Sequence, residues 1–450
     1  MLNNLPCLKN LIACIPLWVL FYHQSLNAQD FQYLPDSSFV QKSFDILAII
    51  VQGNEKTKEE IILREMKLQA GDQYDEEVAE GDRLRIQNLG IFNRVEIDMV
   101  PTNRGVILVV TVTEMWYIFP YPIIFRNDRD WGRISVGAGL LHNNFRGRRE
   151  TIDFSFWLGF NPSVRLVYSN PWIMGPMKFY TSISIFAKRV RNRSSTSDPT
   201  LPEINENQIG VNWRIGKRFG HFTYVDLNLG YKQLTLSPRD SASTLSASGK
   251  DRLPHLGFSF TNDKRDLWEY AHRGHYVNIW AQKTGWFGNV VDYARFGMDV
   301  RKYIPIGATT LAFRGAANLS TGAIPIYEQV HFGFLTRIRG HFSERIAGEN
   351  LLLGSAEFRF PIRKITYHNW GPFQSMGSYG SNFRFGVSAG LFFDTGAIWL
   401  QEDTLAKNTF ISGWGAGLHV FLPYQNILRL EYGFNEDWQG QFIVDLFMTF

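Results

Sequence analysis

Residues 383–394 read Phe-Arg-Phe-Gly-Val-Ser-Ala-Gly-Leu-Phe-Phe-Asp, so apolar side chains occupy every second position of this stretch. In an extended strand, successive side chains point to opposite faces. One face would then carry Phe383, Phe385, Val387, Ala389, Leu391 and Phe393, and the other Arg384, Gly386, Ser388, Gly390, Phe392 and Asp394. Such a strand suits lipid on one side and a polar lumen on the other, in a closed sheet that pairs every backbone group. The stretch therefore predicts a strand of a transmembrane β-barrel.

The same alternation recurs along residues 116–450, for example at 150–160. We expect sixteen strands, near 117–126, 132–141, 150–160, 163–170, 177–188, 208–218, 222–233, 254–262, 275–283, 291–301, 309–319, 350–360, 383–393, 411–421, 427–434 and 441–450. Long polar or glycine-rich connections are expected on the extracellular side, at 189–207, 238–253, 320–349 and 361–382. The predicted fold class is mainly β: a 16-stranded transmembrane β-barrel preceded by one small domain.

The composition of the 450 residues excludes several other classes of protein. Aromatic residues make up 15% of the chain, which excludes a disordered protein. The longest apolar run, 11–22, is shorter than the roughly 20 residues of a membrane-spanning helix. The net charge of +4 is too balanced to predict a nucleic-acid-binding surface.

Residue types that carry reaction chemistry form no recognisable constellation. The two cysteines, Cys7 and Cys14, lie at the N-terminus, and the ten histidines are scattered, so no metal site is predicted. The glycine-rich segment 413–417 opens no helix, which argues against nucleotide binding. We therefore expect no enzymatic activity, no cofactor and no metal ion.

Residues 1–28 have the pattern of a secretory signal peptide. Lys9 supplies a positive charge, 11–22 the apolar region, and Leu26-Asn27-Ala28 a cleavage site. A lipoprotein cleavage box ending at Cys14 is the alternative, but it stands at the start of the apolar run. The segment predicts export from the cytoplasm.

A small α/β module is predicted at residues 43–115. Strand patterns at its start and end flank two helical segments. Thr57 and Glu60 have the spacing of a capping box for the first helix, and Asp75 can cap the second. Asp82 falls on the apolar face of the second helix, where the pattern does not explain it.

The order β-α-α-β-β of this module resembles a polypeptide-transport-associated (POTRA) domain. The likeness includes Val51-x-Gly53-Asn54, Gly71-Asp72 and Asn88-Leu89-Gly90-Ile91-Phe92-Asn93-x-Val95. It implies capture of client polypeptides, partly by adding a strand to the exposed edge of the small sheet. An unrelated α+β domain is the alternative on pattern alone.

Two motifs of the barrel point to one family. Arg337-Ile338-Arg339-Gly340-His341-Phe342 leads into the strand that carries Glu357, and the next strand ends Gly390-Leu391-Phe392-Phe393-Asp394-Thr395-Gly396. These motifs resemble the sixth loop and following strands of the BamA/TamA-like surface-antigen superfamily. That family has Phe or Tyr where this chain has His341. Either Phe342 takes over the aromatic contact, or the imidazole itself packs against the barrel wall.

Arg339 is predicted to meet two carboxylates inside the barrel. Strand parity places Glu357 and Asp394 on the lumen side of adjacent strands, where they could clamp the guanidinium. Gly340 would let the loop turn closely against the wall. The alternative is that Arg339 is a solvated loop charge. The resemblance implies that this loop folds into the lumen and locks the wall at which clients insert.

The first and last strands are predicted to meet at a seam. Pro120 and Pro122, two residues apart, lack amide donors on one edge, which is tolerated at weakly paired edges. The C-terminal strand ends in Phe450, which resembles the signal by which outer-membrane barrels are recognised. An opening seam could template client strands. In the alternative interpretation, 116–124 is only a linker.

The resemblance implies a protein of the bacterial outer membrane with its POTRA domain in the periplasm. Its expected task is to insert β-barrel proteins into that membrane or to translocate polypeptides across it. The expected partners are unfolded outer-membrane or secreted clients, outer-membrane lipids and periplasmic partner proteins, and not nucleic acid. The alternative function is a passive pore with a vestigial POTRA domain.

Overall fold

The computed structural model describes most of the chain after residue 43. The described ranges are 44–126, 134–173, 175–192, 204–237, 244–286, 289–333, 336–341, 344, 346–369, 371–406, 409–424 and 426–446. The predicted signal peptide at 1–28, Phe342 and Phe450 lie outside the described residues.

The N-terminal domain is a three-stranded sheet with two helices. Its elements are β1 (Ile46–Gln52), α1 (Glu59–Leu63), α2 (Glu76–Gln87), β2 (Phe92–Pro101) and β3 (Val106–Glu114). The strand order is β1-β3-β2, with β1 parallel and β2 antiparallel to the central β3. Alternate residues of β3 are buried beneath the helices, so the apolar positions of the strand form the core of the domain.

The two predicted helix caps have different outcomes. The Asp75 side chain accepts a hydrogen bond from the Val78 amide and caps α2, as predicted. The capping box at Thr57 is wrong, because Lys58 is the residue before α1 and provides no side-chain cap. The Thr57 hydroxyl is taken instead by the Tyr117 hydroxyl at 3.2 Å and by Asn144 Nδ2 at 2.9 Å.

The structure also explains the charged residue on the apolar face of α2. The carboxylate of Asp82 is fully buried and accepts hydrogen bonds from the backbone amides of Lys67 and Leu68, at 2.9 and 3.0 Å. Its other neighbour is the guanidinium of Arg85, one turn along the helix. Asp82 therefore fixes the chain that follows α1, a contact that helix periodicity does not reveal.

The barrel sheet contains sixteen strands in the described part of the chain, and neighbouring strands are antiparallel. They are β4 (Ile118–Arg126), β5 (Ile134–Phe145), β6 (Glu150–Gly159), β7 (Ser163–Ile173), β8 (Phe179–Asn192), β9 (Ile204–Phe219), β10 (Thr223–Ser237), β11 (Lys250–Asp263), β12 (Gly274–Thr284), β13 (Asp292–Ile306), β14 (Thr309–Ala323), β17 (Asn350–His368), β18 (Phe383–Trp399), β19 (Phe410–Leu422), β20 (Asn426–Asn435) and β21 (Gly440–Leu446). A two-stranded hairpin, β15 (Val330–Phe332) and β16 (Ile346–Gly348), lies between β14 and β17. Short 3₁₀ segments occur at Gly175–Met177, Ile326–Glu328 and Gly371–Gly380. None of the helices in the described ranges has the length and apolar character needed to cross a membrane.

Side-chain exposure confirms the predicted alternation in the middle of β18. Phe383 and Ala389, which were also expected on the outer face, are buried, and the Phe383 ring packs against Tyr424. Leu391 and Phe393 are 53% and 47% exposed on the outer face, whereas Phe392 and Asp394 between and beside them are 5% and 2% exposed. The outer row provides the apolar surface that a lipid environment requires. The predicted fold class is confirmed.

One predicted extracellular connection lies at the opposite end of the barrel. Strand β17 continues past Pro361 to His368, through two irregularities in its register with β18. The remaining connection packs on the N-terminal domain, where Asn382 Nδ2 donates to Thr113 Oγ1 at 2.9 Å and Asn93 Nδ2 to the Ser381 carbonyl at 3.0 Å. The extracellular prediction for 361–382 is therefore wrong, because β17 continues beyond Pro361 by bulging in its pairing with β18.

Further hydrogen bonds hold the N-terminal domain against the same end of the barrel. The Glu65 carboxylate accepts two hydrogen bonds from the Arg218 guanidinium of β9, at 2.7 and 2.9 Å. Arg149 Nε, in the turn after β5, donates to the Leu89 carbonyl at 2.7 Å. The N-terminal domain and the barrel thus meet through specific polar contacts.

Candidate functional site

The connection between β14 and β17 carries the predicted loop motif. Near its base, Phe332 and Ile338 are buried against Leu351 and Leu353 of β17 and Ile398 of β18. This apolar cluster anchors the loop to the inner wall. The motif residues that follow Ile338 are thereby directed into the lumen.

Arg339 lies buried among three carboxylates. Its guanidinium contacts Asp394 through two bonds, Nε–Oδ2 at 2.7 Å and Nη2–Oδ1 at 2.9 Å. Nη1 donates to Glu357 Oε2 at 2.6 Å and to Glu431 Oε1 at 3.0 Å. The structure brings Arg339 together with both carboxylates expected from strand parity, and the solvated-charge alternative does not hold. The face of the guanidinium also lies 3.8 Å from the centroid of the Phe392 ring, a cation–π contact.

Two further arginines extend this group into a network that the sequence analysis missed. Arg359 Nε donates to Glu357 Oε1 at 2.7 Å, and Arg429 Nη2 contacts both Glu357, at 3.1 Å, and Glu431. The network therefore balances three guanidinium groups against three carboxylates, which offsets the cost of burying each charge. The signal in the sequence is the pair of patterns Glu-x-Arg on β17 and Arg-x-Glu on β20, since residues two apart share a face. We call these six residues, Arg339, Glu357, Arg359, Asp394, Arg429 and Glu431, the lumen network.

Glycines allow the loop backbone to approach the wall closely. Gly340 has a φ of 119°, a left-handed conformation that glycine adopts without strain. A Cβ on Gly340 would collide with the Phe434 carbonyl, and one on Gly413 would collide with the Arg339 carbonyl. The glycine-rich segment 413–417 thus includes Gly413, on which the loop backbone packs.

His341 makes polar contacts where the family has an aromatic ring. Its Nδ1 lies 2.8 Å from Glu344 Oε1, and its Nε2 lies 2.7 Å from Glu436 Oε2 and 3.2 Å from the Ser412 carbonyl. Burial lowers the pKa of His341, but the hydrogen bonds to the two glutamates outweigh burial and raise the pKa above its usual value. The imidazole thus holds the loop through hydrogen bonds to Glu436 and to the Ser412 carbonyl.

The loop also reaches the last strand. Arg337 Nη2 contacts the carboxylate of Asp445 on β21, and both side chains are largely buried. Together with the lumen network, this pair places loop contacts on β17, β18, β20 and β21. A change in the position of the loop would therefore act directly on the end of the sheet.

The two ends of the barrel sheet are β4 and β21. Among the described residues, β4 pairs with β5, β21 pairs with β20, and no ladder joins β4 to β21. The β4–β5 ladder runs unbroken through Pro120 and Pro122. Because an antiparallel ladder bonds alternate residues, the missing proline donors face away from β5, on the opposite edge of β4. Residues 118–126 are a strand of the sheet, so the linker alternative for 116–124 does not hold.

A lipid-facing barrel with a small mixed domain at one end and an arginine-bearing loop in its lumen defines a class of bacterial outer-membrane proteins. The chain belongs to the Omp85 superfamily: the Omp85 superfamily domain matches residues 144–443. A POTRA repeat, described as a surface antigen variable number repeat, matches residues 44–115. The barrel accordingly lies in the outer membrane, and the POTRA domain lies in the periplasm.

Two relatives agree with this placement. The chain is 22% identical over 380 residues to the outer membrane protein assembly factor BamA of Nitratidesulfovibrio vulgaris Hildenborough, covering 75% of this chain and 44% of the relative. It is 21% identical over 445 residues to BamA of Neisseria meningitidis serogroup B, covering 87% and 52%. The chain therefore spans about half the length of the curated relatives it matches.

Two solved structures share the fold. BamA from Haemophilus ducreyi lacking POTRA domains 1–3 aligns with a TM-score of 0.52 at 16% identity, over 90% of this chain and 83% of that chain. CdiB from Escherichia coli aligns with a TM-score of 0.56 at 14% identity, over 90% and 75%. At these identities the likeness establishes the fold alone.

Proposed function

We propose that this protein inserts β-barrel polypeptides into the outer membrane or moves polypeptides across it, without an enzymatic step or a cofactor. The observation that carries the proposal is the loop that links the lumen network to β21 through Arg337 and Asp445. Relatives named as outer membrane assembly factors support the same reading. The clients are unfolded outer-membrane or secreted polypeptides, with outer-membrane lipids around the barrel.

The seam between β4 and β21 is the place where a client strand would pair. A free strand edge presents unpaired amide and carbonyl groups to any extended chain. On β4, Pro120 and Pro122 remove two donors from that edge, which weakens closure of the barrel on itself. A client hairpin could then pair with β21 and leave the seam again without breaking a full ladder.

The POTRA sheet offers a second place of capture. In the order β1-β3-β2, both β1 and β2 are edge strands among the described residues. Leu47 and Ile50 of β1 are exposed. An extended client could add to this edge through main-chain hydrogen bonds and place apolar side chains on these two residues. Periplasmic partner proteins could use the same edge.

Photo-crosslinking in cells tests the proposal. A photoreactive residue is placed at Ile118 or Ile124 on β4 and at Phe442 or Val444 on β21, all of which are exposed. The matched controls are the exposed residues Leu227 and Leu229 of β10, in the middle of the sheet. We expect unfolded barrel precursors or secreted chains attached at β4 and β21, and none at β10.

Two outcomes contradict this function. Equal crosslinking at β4, β21 and β10 would mean that clients do not bind preferentially at the seam. Solute conductance without client crosslinks would favour the passive pore with a vestigial POTRA domain. A disulfide that locks β4 to β21 and leaves client handling intact would exclude opening of the seam.

A further inference from the structure

A cavity of about 370 Å³ lies where the POTRA domain meets the barrel. Six arginines line it, and three of them come from separate places: Arg64 follows α1, Arg149 lies in the turn after β5, and Arg218 is on β9. The side chains of Arg64 and Arg218 are only 11% and 10% exposed. The cavity therefore collects positive charge from both domains in a partly enclosed space.

Acidic residues of the lining do not neutralise this charge. Among the described lining residues, Glu65 is the carboxylate within ion-pair distance of Arg64, at 3.5 Å, and it also binds Arg218 through both oxygens. Asp263 is occupied by Arg265 through two bonds, at 2.9 and 2.7 Å. Asp226, likewise, is bound by hydroxyl groups and faces Arg214. Arg64 and Arg218 thus share one carboxylate. Nε of Arg149 donates to the Leu89 carbonyl instead.

Two buried guanidinium nitrogens in the cavity, Nη2 of Arg64 and Nε of Arg218, have no acceptor within the described part of the chain. Nε of Arg64 makes no hydrogen bond and reaches only Glu65 Oε1, at 3.5 Å. Arg64 and Arg218 both lie over the Trp172 ring, at 4.9 and 5.7 Å from its centroid, so the stacked guanidinium planes are held in place. A buried donor without an acceptor is costly, and a buried cation more so. An acceptor with negative charge would remove both costs.

The pKa of Arg64 agrees with this surplus of charge. Burial, opposed in part by the charge of Glu65, lowers the pKa of Arg64 to about 10, and the charges of Arg218 and Arg149 act in the same direction as burial. Arginine normally keeps its proton under all conditions that proteins meet. A shift of this direction marks a site that a bound anion would stabilise.

We infer that this cavity is a binding site for an oxyanion group, a phosphate or a carboxylate. The planar forks of Arg64 and Arg218 match the paired oxygens of such groups. Because Arg64 belongs to the POTRA domain and Arg149 and Arg218 to the barrel, the bound anion would bridge the two domains. Occupancy of the site would tighten their junction. The inference does not depend on the proposed function.

Calorimetric titration of the purified full chain in detergent micelles tests the site. Inorganic phosphate is titrated in one arm and acetate in the other, with sodium chloride at matched ionic strength as the reference. We expect saturable binding of phosphate, acetate or both, and the tighter ligand identifies the preferred group. Arg64→Gln should weaken this binding at least tenfold. Arg104→Gln, which removes an exposed arginine from the turn between β2 and β3, should leave it unchanged.

The wild-type titration keeps the test decisive even if Arg64→Gln fails to fold. Absence of saturable binding of both phosphate and acetate to the wild-type chain overturns the site. Equal weakening by Arg64→Gln and Arg104→Gln overturns it as well, because the effect would then be general charge screening. Arg149→Gln provides a second variant, on the barrel side, for which the same loss of binding is expected.

Discussion

Arg339 is a buried cation whose carboxylate partners come from three different strands, β17, β18 and β20. Removal of the guanidinium by Arg339→Ala would leave Glu357, Asp394 and Glu431 with an excess of negative charge in the lumen. Breaking a buried ion pair in this way costs about 3–5 kcal/mol. We expect a lower unfolding midpoint in urea for the folded barrel in micelles, and loss of client insertion.

The matched control for that variant is Arg252→Ala on β11. Arg252 is exposed, so its loss should change the unfolding midpoint little, within about 0.5 kcal/mol. If Arg339→Ala behaved like Arg252→Ala in both measurements, the lumen network would have no locking role.

His341 makes the seat of the loop dependent on pH. A histidine with a raised pKa contributes stability that is fully present below its usual pKa of about 6.5 and is lost as the pH rises through the raised value. Glu344 and Glu436 are both partly exposed, so solvent screens the effect and limits it to about 1 kcal/mol. In the wild type, we expect limited proteolysis of the loop to increase when the pH exceeds the raised pKa of His341. His341→Phe should abolish the pH dependence; an unchanged profile in that variant would rule out the imidazole as its source.

Side-chain parity predicts part of the site but not all of it. Glu357 and Asp394 could be found because they lie on strands next to the loop in sequence. Glu431 was missed because it lies two strands beyond β18 in the sheet. A period of two says which face a residue takes but not which loop side chain reaches it. Gly413 was missed for the same reason: its neighbour is a backbone 74 positions away, which no local pattern encodes.

Among the structural elements, α1 and β9 are joined by the buried pair of Glu65 and Arg218. Burial raises the pKa of Glu65, but its hydrogen bonds to Arg218 outweigh burial and keep the pKa below its usual value. The stability that the pair contributes is therefore present above pH about 4.3 and is lost as the pH falls through the lowered pKa. Glu65→Gln should release the POTRA domain at neutral pH, at a cost of about 3–5 kcal/mol. Distances between spin labels on α2 and β9 would report the release.

Glu80→Gln on α2 is the control for the junction. Glu80 is 45% exposed and pairs with Arg83 of the same helix, so its loss should cost no more than about 1 kcal/mol. Equal label distances in Glu65→Gln and wild type would show that other contacts hold the junction.

Element boundaries could be predicted where the hydrophobic pattern of a segment has a single period. The strands of the barrel follow from alternation because each has a lipid face and a lumen face. The prediction of a capping box at Thr57 was wrong because the Thr57 hydroxyl makes tertiary hydrogen bonds to Tyr117 and Asn144 instead. The prediction for the connection 361–382 was wrong because β17 includes Pro361 and pairs irregularly with β18 after it. The sequence of β17 alone does not show this pairing.

At the scale of the whole molecule, the contact of Arg337 with Asp445 is expected to restrain the seam. Arg337→Gln removes the charge that holds β21 to the loop. A loss of about 1.4 kcal/mol would raise the population with an open seam roughly tenfold. We expect a larger ion current through single proteins in planar bilayers and more client crosslinks at Phe442. Arg252→Gln serves as the control, and a current equal to that of wild type in Arg337→Gln would exclude a restraint at this position.

The position of the loop also has a consequence for the order of events in folding. Its contacts span β17 to β21 and join residues no more than 108 positions apart, whereas joining β4 to β21 must connect the two ends of the whole sheet. Contacts over short sequence separations form sooner, because they cost less chain entropy. The C-terminal five strands and the loop are therefore expected to assemble first, as a curved part of the sheet with Arg339 already on its inner face. The ring would close around a filled interior, and no empty pore would form on the way.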